Sequence, residues 1–255
     1  MANAYIFDLV GVLVDLDMSK VNEYFAQEGK SELFQLRKSP DEQTRFQAET
    51  EFEQTLEKAI LSGYVPATAV PGVDEIREAI IEDPTGNLVI YSNGTTKKTI
   101  NCLLDVAEIP GVMIEDEPAL NYRGGLFVLD GKACGNKSLS GSYKNMIEII
   151  EEMQTGVRAS CPGVASPGYE ELVPRLFVDD QKDNALAARG IGAYSHNGFE
   201  MSVWLDRKNT CNNRGLGRSG IVVMQNLSQV AGYIKYKAIM AKRMIDRDPD
   251  LCSCL

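Results

Sequence analysis

Histidine is nearly missing from this chain of 255 residues: His196 is the only one. That excludes histidine-rich metal centres such as the H-E-x-x-H zinc site and two-histidine iron sites, which need more imidazoles than the sequence holds. A Ser-His-Asp or Cys-His hydrolase would rest on His196 alone. Chemistry falls instead to carboxylates, lysine and hydroxyls. The six cysteines form no C-x-x-C pair, and Cys102, Cys134, Cys161 and Cys211 are dispersed, which reads as reduced thiols in a reducing compartment. No apolar run is long enough to span a membrane, and the N-terminus lacks a basic segment followed by a cleavable apolar stretch, so the expected location is cytoplasmic. Positive charge is in deficit: 26 Lys and Arg against 36 Asp and Glu leave a net charge of −10. That balance speaks against nucleic-acid binding, whose affinity comes largely from cations on phosphates. It suits small-molecule work with a divalent cation.

What is present alternates between strand and helix. Tyr5 to Phe7 form an apolar, β-prone run that meets Asp8, and Val12 to Val14 extend the apolar stretch to Asp15. From about Leu16 to Val70 strand signals vanish and helix signals take over. Ser39-Pro40-Asp41-Glu42 predicts a helix start with Ser39 as the cap and Pro40 at the first helical position. Phe52, Leu56, Ala59 and Ile60 make an apolar stripe on that helix, and Gly63 stops it. The block reads as a small all-helical insertion. Beyond Pro71-Gly72, helices are expected over Val73–Ile81, Thr96–Val106, Tyr143–Met153, Ala185–Arg189 and Leu227 to about Ile245. Buried strands are expected at Leu88–Tyr91, Leu176–Val178 and Ile221–Met224, a further strand beginning at Ala193-Tyr194, and a hairpin at Gly125–Gly131. Residues 155–174 and 196–219 read as loops. The fold class is therefore α/β, a Rossmann-like, mostly parallel sheet flanked by helices, with a helical insertion after the first strand.

Ligands of such sheets bind outside the carboxyl ends of the strands. Three strand ends carry reactive groups: Asp8, Ser92 and the pair Asp179-Asp180. A carboxylate nucleophile, a hydroxyl donor and paired acids able to hold Mg²⁺ would meet at one edge, with Lys137 adding positive charge.

Taken in order, these segments resemble the haloacid dehalogenase superfamily. Ile6 to Asp15 resembles the first motif, Leu88 to Asn93 the second, Lys137 the third, and Phe177 to Asn184 with Ala187-Ala188-Arg189 and Gly192 the fourth. Val70-Pro71-Gly72-Val73 resembles the return from a helical cap. The resemblance implies a core of residues 1–15 and 71–255, a cap of residues 16–70, and Mg²⁺-dependent hydrolysis of a small phosphorylated molecule. It implies Asp8 as nucleophile, with Mg²⁺ held by Asp8, the Val10 carbonyl, Asp180 and Asp179. Ser92, Asn93, Gly94 and Lys137 would bind the phosphoryl group. Lys144 competes with Lys137; the loop before a helix favours Lys137.

One departure stands out. The resemblance implies an aspartate two residues after the nucleophile, to protonate the leaving group and activate water. Val10 stands there and transfers no proton. Three readings stay open: a phosphohydrolase whose acid comes from elsewhere, a dehalogenase attacking carbon, or an inactive binding or regulatory protein. Outside this constellation, Asp183 reads as a helix-start or supporting carboxylate and His196 as a polar loop residue. The run Gly215 to Gly220 reads as a surface loop, since a strand and not a helix follows it. Arg207, Lys208, Arg214 and Arg218 are expected to be solvated, as are Arg37, Lys38 and Arg45. Cys252-Ser253-Cys254-Leu255 has the frame of a lipidation box, without its usual aliphatic pair. Membrane attachment is not expected otherwise.

Overall fold

A computed structural model describes residues 2–83, 86–92, 95–109, 126–129, 172–192, 199–210 and 220–247. Six strands form one parallel sheet in the order β5-β4-β1-β6-β7-β8: β1 (Ala2–Phe7), β4 (Gly86–Tyr91), β5 (Leu126–Leu129), β6 (Leu172–Asp179), β7 (Met201–Leu205) and β8 (Val222–Met224). A separate antiparallel ribbon joins β2 (Val14–Leu16) to β3 (Ala67–Ala69). Tyr5, Ile6 and Phe7 are wholly buried, as expected for a central strand covered on both faces. β6 departs from straight pairing where Ala4 faces Pro174 and Tyr5 faces Leu176, leaving Arg175 as a bulge. Proline has no N–H for the ladder, and a bulge accommodates it.

The helices are α1 (Met18–Gln27), α2 (Leu33–Leu36), α3 (Glu42–Leu61), α4 (Val73–Glu82), α5 (Lys97–Val106), α6 (Lys182–Gly192) and α7 (Leu227–Arg247). α4 packs on α7, and α6 covers β6 and β7. Between β2 and β3, α1 to α3 share an aromatic cluster: the Phe25 ring lies 5.1 Å from Phe34 and 4.7 Å from Phe52. Phe52, Leu56, Ala59 and Ile60 are buried on α3, and Gly63 ends it with φ +73°. Among the described residues no helix is long and apolar enough to cross a membrane.

Several expectations are corrected. The cap of α3 is Asp41, which accepts from Thr44 N at 2.7 Å; Ser39 instead accepts from Asp41 N. The block from Leu16 to Val70 is not purely helical, since Leu16 and Ala67–Ala69 belong to the ribbon. The expected loop 196–219 contains β7, and β6 begins at Leu172, within the expected loop 155–174. β5 pairs in parallel with β4, whereas a hairpin was expected there. The hairpin partner near Asp130-Gly131, the strand at Ala193-Tyr194, the helix at Tyr143–Met153, most of the Gly215–Gly220 run and the C-terminal cysteines lie outside the described residues.

Candidate active site at the carboxyl edge of the sheet

The register brings the reactive strand ends together. Phe7 pairs with Ile90 on one side and Val178 on the other, so Asp8 follows its strand level with Asp179 and within a residue of Ser92. Asp8 is still tied to the sheet, because its N–H donates to Val178 O at 2.9 Å. The chain then turns tightly: Leu9 O accepts from Leu13 N at 2.8 Å and Val14 N at 2.9 Å. Gly11 takes φ +88° in this turn, a conformation that favours glycine.

Asp8, Asp179 and Asp180 each offer a carboxylate oxygen, and these oxygens lie within 4.8 Å of one another. Asp8 and Asp179 are buried. Asp179 Oδ1 accepts from Gln181 N at 2.8 Å and from Asn184 Nδ2 at 3.1 Å, which fixes the carboxylate at the entry to α6. Asp180 is held through its main chain, whose carbonyl accepts from Trp204 Nε1 at 3.0 Å. Three clustered hard oxygen donors suit Mg²⁺. The turn is shaped for the same purpose: a Cβ on Gly11 would overlap Asp180 Oδ2 and lie 2.8 Å from its Cγ. Only a residue without a side chain leaves Asp180 its place.

Ser92 is buried at the end of β4 and donates to Thr95 Oγ1 at 3.2 Å. Val10 is half-buried, packs against the core and bridges to Val14. Asp183 sits in the first turn of α6, outside the carboxylate cluster. Asn93, Gly94, Lys137, Lys144 and His196 lie outside the described residues.

Three side chains escaped the sequence reading. Arg207 was expected to be solvated, but it makes a two-pronged pair with Asp15, at 2.6 and 2.7 Å, and donates to Gly11 O at 3.3 Å. The Asp15 contact raises the Arg207 pKa and clamps the nucleophile turn to the segment after β7. Arg207 closely follows a strand end, so recognising β7 would have exposed it. Arg37 was also expected to be solvated. Its guanidinium lies 3.9 Å from the centre of the Phe52 ring, and burial lowers its pKa. The third is Glu53 on α3, whose Oε1 accepts from Thr96 N at 2.8 Å, four residues past Ser92.

No family model and no curated protein matches the sequence. Solved structures do match the fold. A hydrolase from Pseudomonas syringae is 14% identical, with 92% of this chain and 99% of that one covered and a TM-score of 0.51. The fold is that of the haloacid dehalogenase-like hydrolases. A 2-haloacid dehalogenase from Pseudomonas syringae pv. tomato has 14% identity, covers 93% and 99% of the two chains and has a TM-score of 0.48. The UTR4 protein of Saccharomyces cerevisiae has 18% identity, coverage of 90% and 100%, and a TM-score of 0.47. The haloacid dehalogenase-like topology puts strand β1, which delivers Asp8, at the centre of the sheet, between the strands that deliver Ser92 and Asp179.

Proposed function

We propose that the protein is a Mg²⁺-dependent phosphohydrolase acting on a small phosphorylated molecule through an aspartyl-phosphate on Asp8. The observation that carries this reading is the gathering of Asp8, Asp179 and Asp180 with their ligand oxygens within 4.8 Å. Mg²⁺ would be held by Asp8, Asp180 and the main-chain carbonyl of Val10, with Asp179 beside them. When bound, it supplies positive charge that offsets the phosphoryl oxygens and the nucleophile.

The chain's own residues carry the steps. Asp8 attacks phosphorus in line, its Oδ–P bond forming as the ester P–O bond breaks. Burial and the Val178 tether hold the carboxylate in one orientation, so little ordering remains to be done at the transition state. Ser92 donates a hydrogen bond to a phosphoryl oxygen, and Lys137 adds charge. Water then attacks phosphorus, the bond to Asp8 breaks and phosphate leaves. The helical residues 16–70 act as a cap that excludes bulk water and selects small substrates. Asp179 supports Asp180 by fixing the Gln181 turn.

A panel of acyl, aryl and alkyl phosphates with and without Mg²⁺, run beside Asp8→Asn, tests the reading. Mg²⁺-dependent phosphate release lost in the variant is expected. Val10 favours a second reading, attack on carbon, because halide departs without a proton. Chloride release from haloacids without Mg²⁺, and no phosphate release, would establish that alternative and overturn the first.

A further inference from the structure

We propose that Glu53, delivered by α3, is the general acid–base residue that compensates for Val10. The inference rests on the phosphohydrolase reading and extends it to a second catalytic group. Val10 is aliphatic and packed against the core, so position 10 contributes no proton. The proton donor must then come from another element that reaches the carboxyl edge.

Glu53 does so from the helical side. Its Oε1 accepts from Thr96 N at 2.8 Å, and Thr95, the residue before, receives the Ser92 hydroxyl at 3.2 Å. The carboxyl thus stands on the short segment that leads from the phosphate-binding serine into α5. Other carboxylates near this edge are committed. Asp15 is held by Arg207, Asp206 accepts from Thr210 Oγ1 at 2.9 Å, and Glu57 accepts from Thr99 Oγ1 at 2.8 Å and Lys98 Nζ at 2.5 Å. Arg37, stacked on Phe52 beside Glu53, places positive charge near the Glu53 carboxylate.

The step balances without a further reactant. As the Asp8–P bond forms and the ester P–O bond breaks, the leaving oxygen takes the proton from Glu53. In the second half, the Glu53 carboxylate takes a proton from water while that oxygen attacks phosphorus and Asp8 departs. One carboxyl oxygen keeps the Thr96 N–H throughout, and the other carries the proton.

Glu53→Gln separates this role from helix capping, because the amide oxygen still accepts from Thr96 N. On alkyl phosphates, kcat is expected to fall by roughly 10²–10⁴-fold, the usual worth of a positioned acid. On acetyl phosphate, whose leaving group needs no proton, it should fall by about tenfold or less. The alkaline limb of the kcat–pH profile should disappear with the carboxyl. A second measurement needs no variant: the wild type should show that alkaline limb on alkyl phosphates and a shallow one on acetyl phosphate. An equal loss on every substrate, or none, or a wild-type alkaline limb that is the same for both substrates, overturns the proposal for Glu53 alone. Absence of wild-type turnover on any phosphate removes the phosphohydrolase reading and this proposal with it.

Discussion

At the scale of single residues, the site depends on what Gly11 lacks. Gly11→Ala forces an alanine into φ +88° and its Cβ onto Asp180. The backbone strain alone costs about 1–3 kcal/mol, and the carboxylate must shift. The expected outcome is a lower urea midpoint and, in addition, a smaller rise in melting temperature on adding Mg²⁺. A variant that keeps the wild-type response to Mg²⁺ would show that Asp180 is not a ligand. Residues of this kind were partly legible in sequence. Asp8, Ser92, Asp179 and Asp180 announce themselves because each ends a continuous apolar run. Arg207 and Glu53 do not, since their meaning comes from partners 192 and 43 positions away.

At the scale of elements, α3 is clasped to α5 by two glutamates one turn apart. Glu53 takes the Thr96 N–H; Glu57, itself buried, takes Thr99 and Lys98. Glu57→Ala leaves the buried Thr99 hydroxyl with only Thr96 Oγ1 nearby. A loss of about 1–3 kcal/mol is expected from an abandoned buried hydrogen bond. Lys98 is 79% exposed, so Lys98→Ala should cost about 1 kcal/mol or less. Urea unfolding of the two variants checks the order; equal losses would mean that the clasp is purely ionic. The same scale explains which elements hid in the sequence. β7 reads Met-Ser-Val-Trp-Leu, and Ser202 breaks the apolar run although it is fully buried. Its hydroxyl is satisfied by donating to Ala185 O at 2.6 Å, a partner visible only in the fold. The start of α3 offered Ser39 and Asp41 as rival caps two residues apart, and Asp41 prevails by reaching Thr44 N.

At the scale of the whole molecule, the sheet has a reactive carboxyl edge and a locked amino edge. At the amino edge the Tyr5 hydroxyl donates to Asp83 Oδ2 at 2.6 Å, and Asn3 Nδ2 donates to the same oxygen at 3.0 Å. Burial first, and the Asp83 charge second, push the Tyr5 pKa well above that of a free phenol. A raised folded pKa means that this contribution is fully present below about pH 10 and is lost as pH rises from there toward the folded value. Between those limits the unfolded chain sheds one more proton, so stability falls by about 1.4 kcal/mol per pH unit from this group. Tyr5→Phe should lower stability at neutral pH by about 1–2 kcal/mol and flatten the alkaline decline. Denaturant melts from pH 7 to 11 check both signs; a parallel decline in the two proteins would contradict the assignment. The parallel α/β architecture itself was legible because apolar runs alternate with helical stripes. The ribbon β2–β3 was not, being three residues per strand.

The central claim is that Asp8 forms a covalent aspartyl-phosphate. The most direct measurement is an acid quench after brief mixing with Mg²⁺ and ³²P-labelled acetyl phosphate, followed by peptide mapping. The account predicts label on the peptide carrying Asp8, lost on chase and absent from Asp8→Asn. Turnover without label at Asp8, or label that survives in Asp8→Asn, would contradict it.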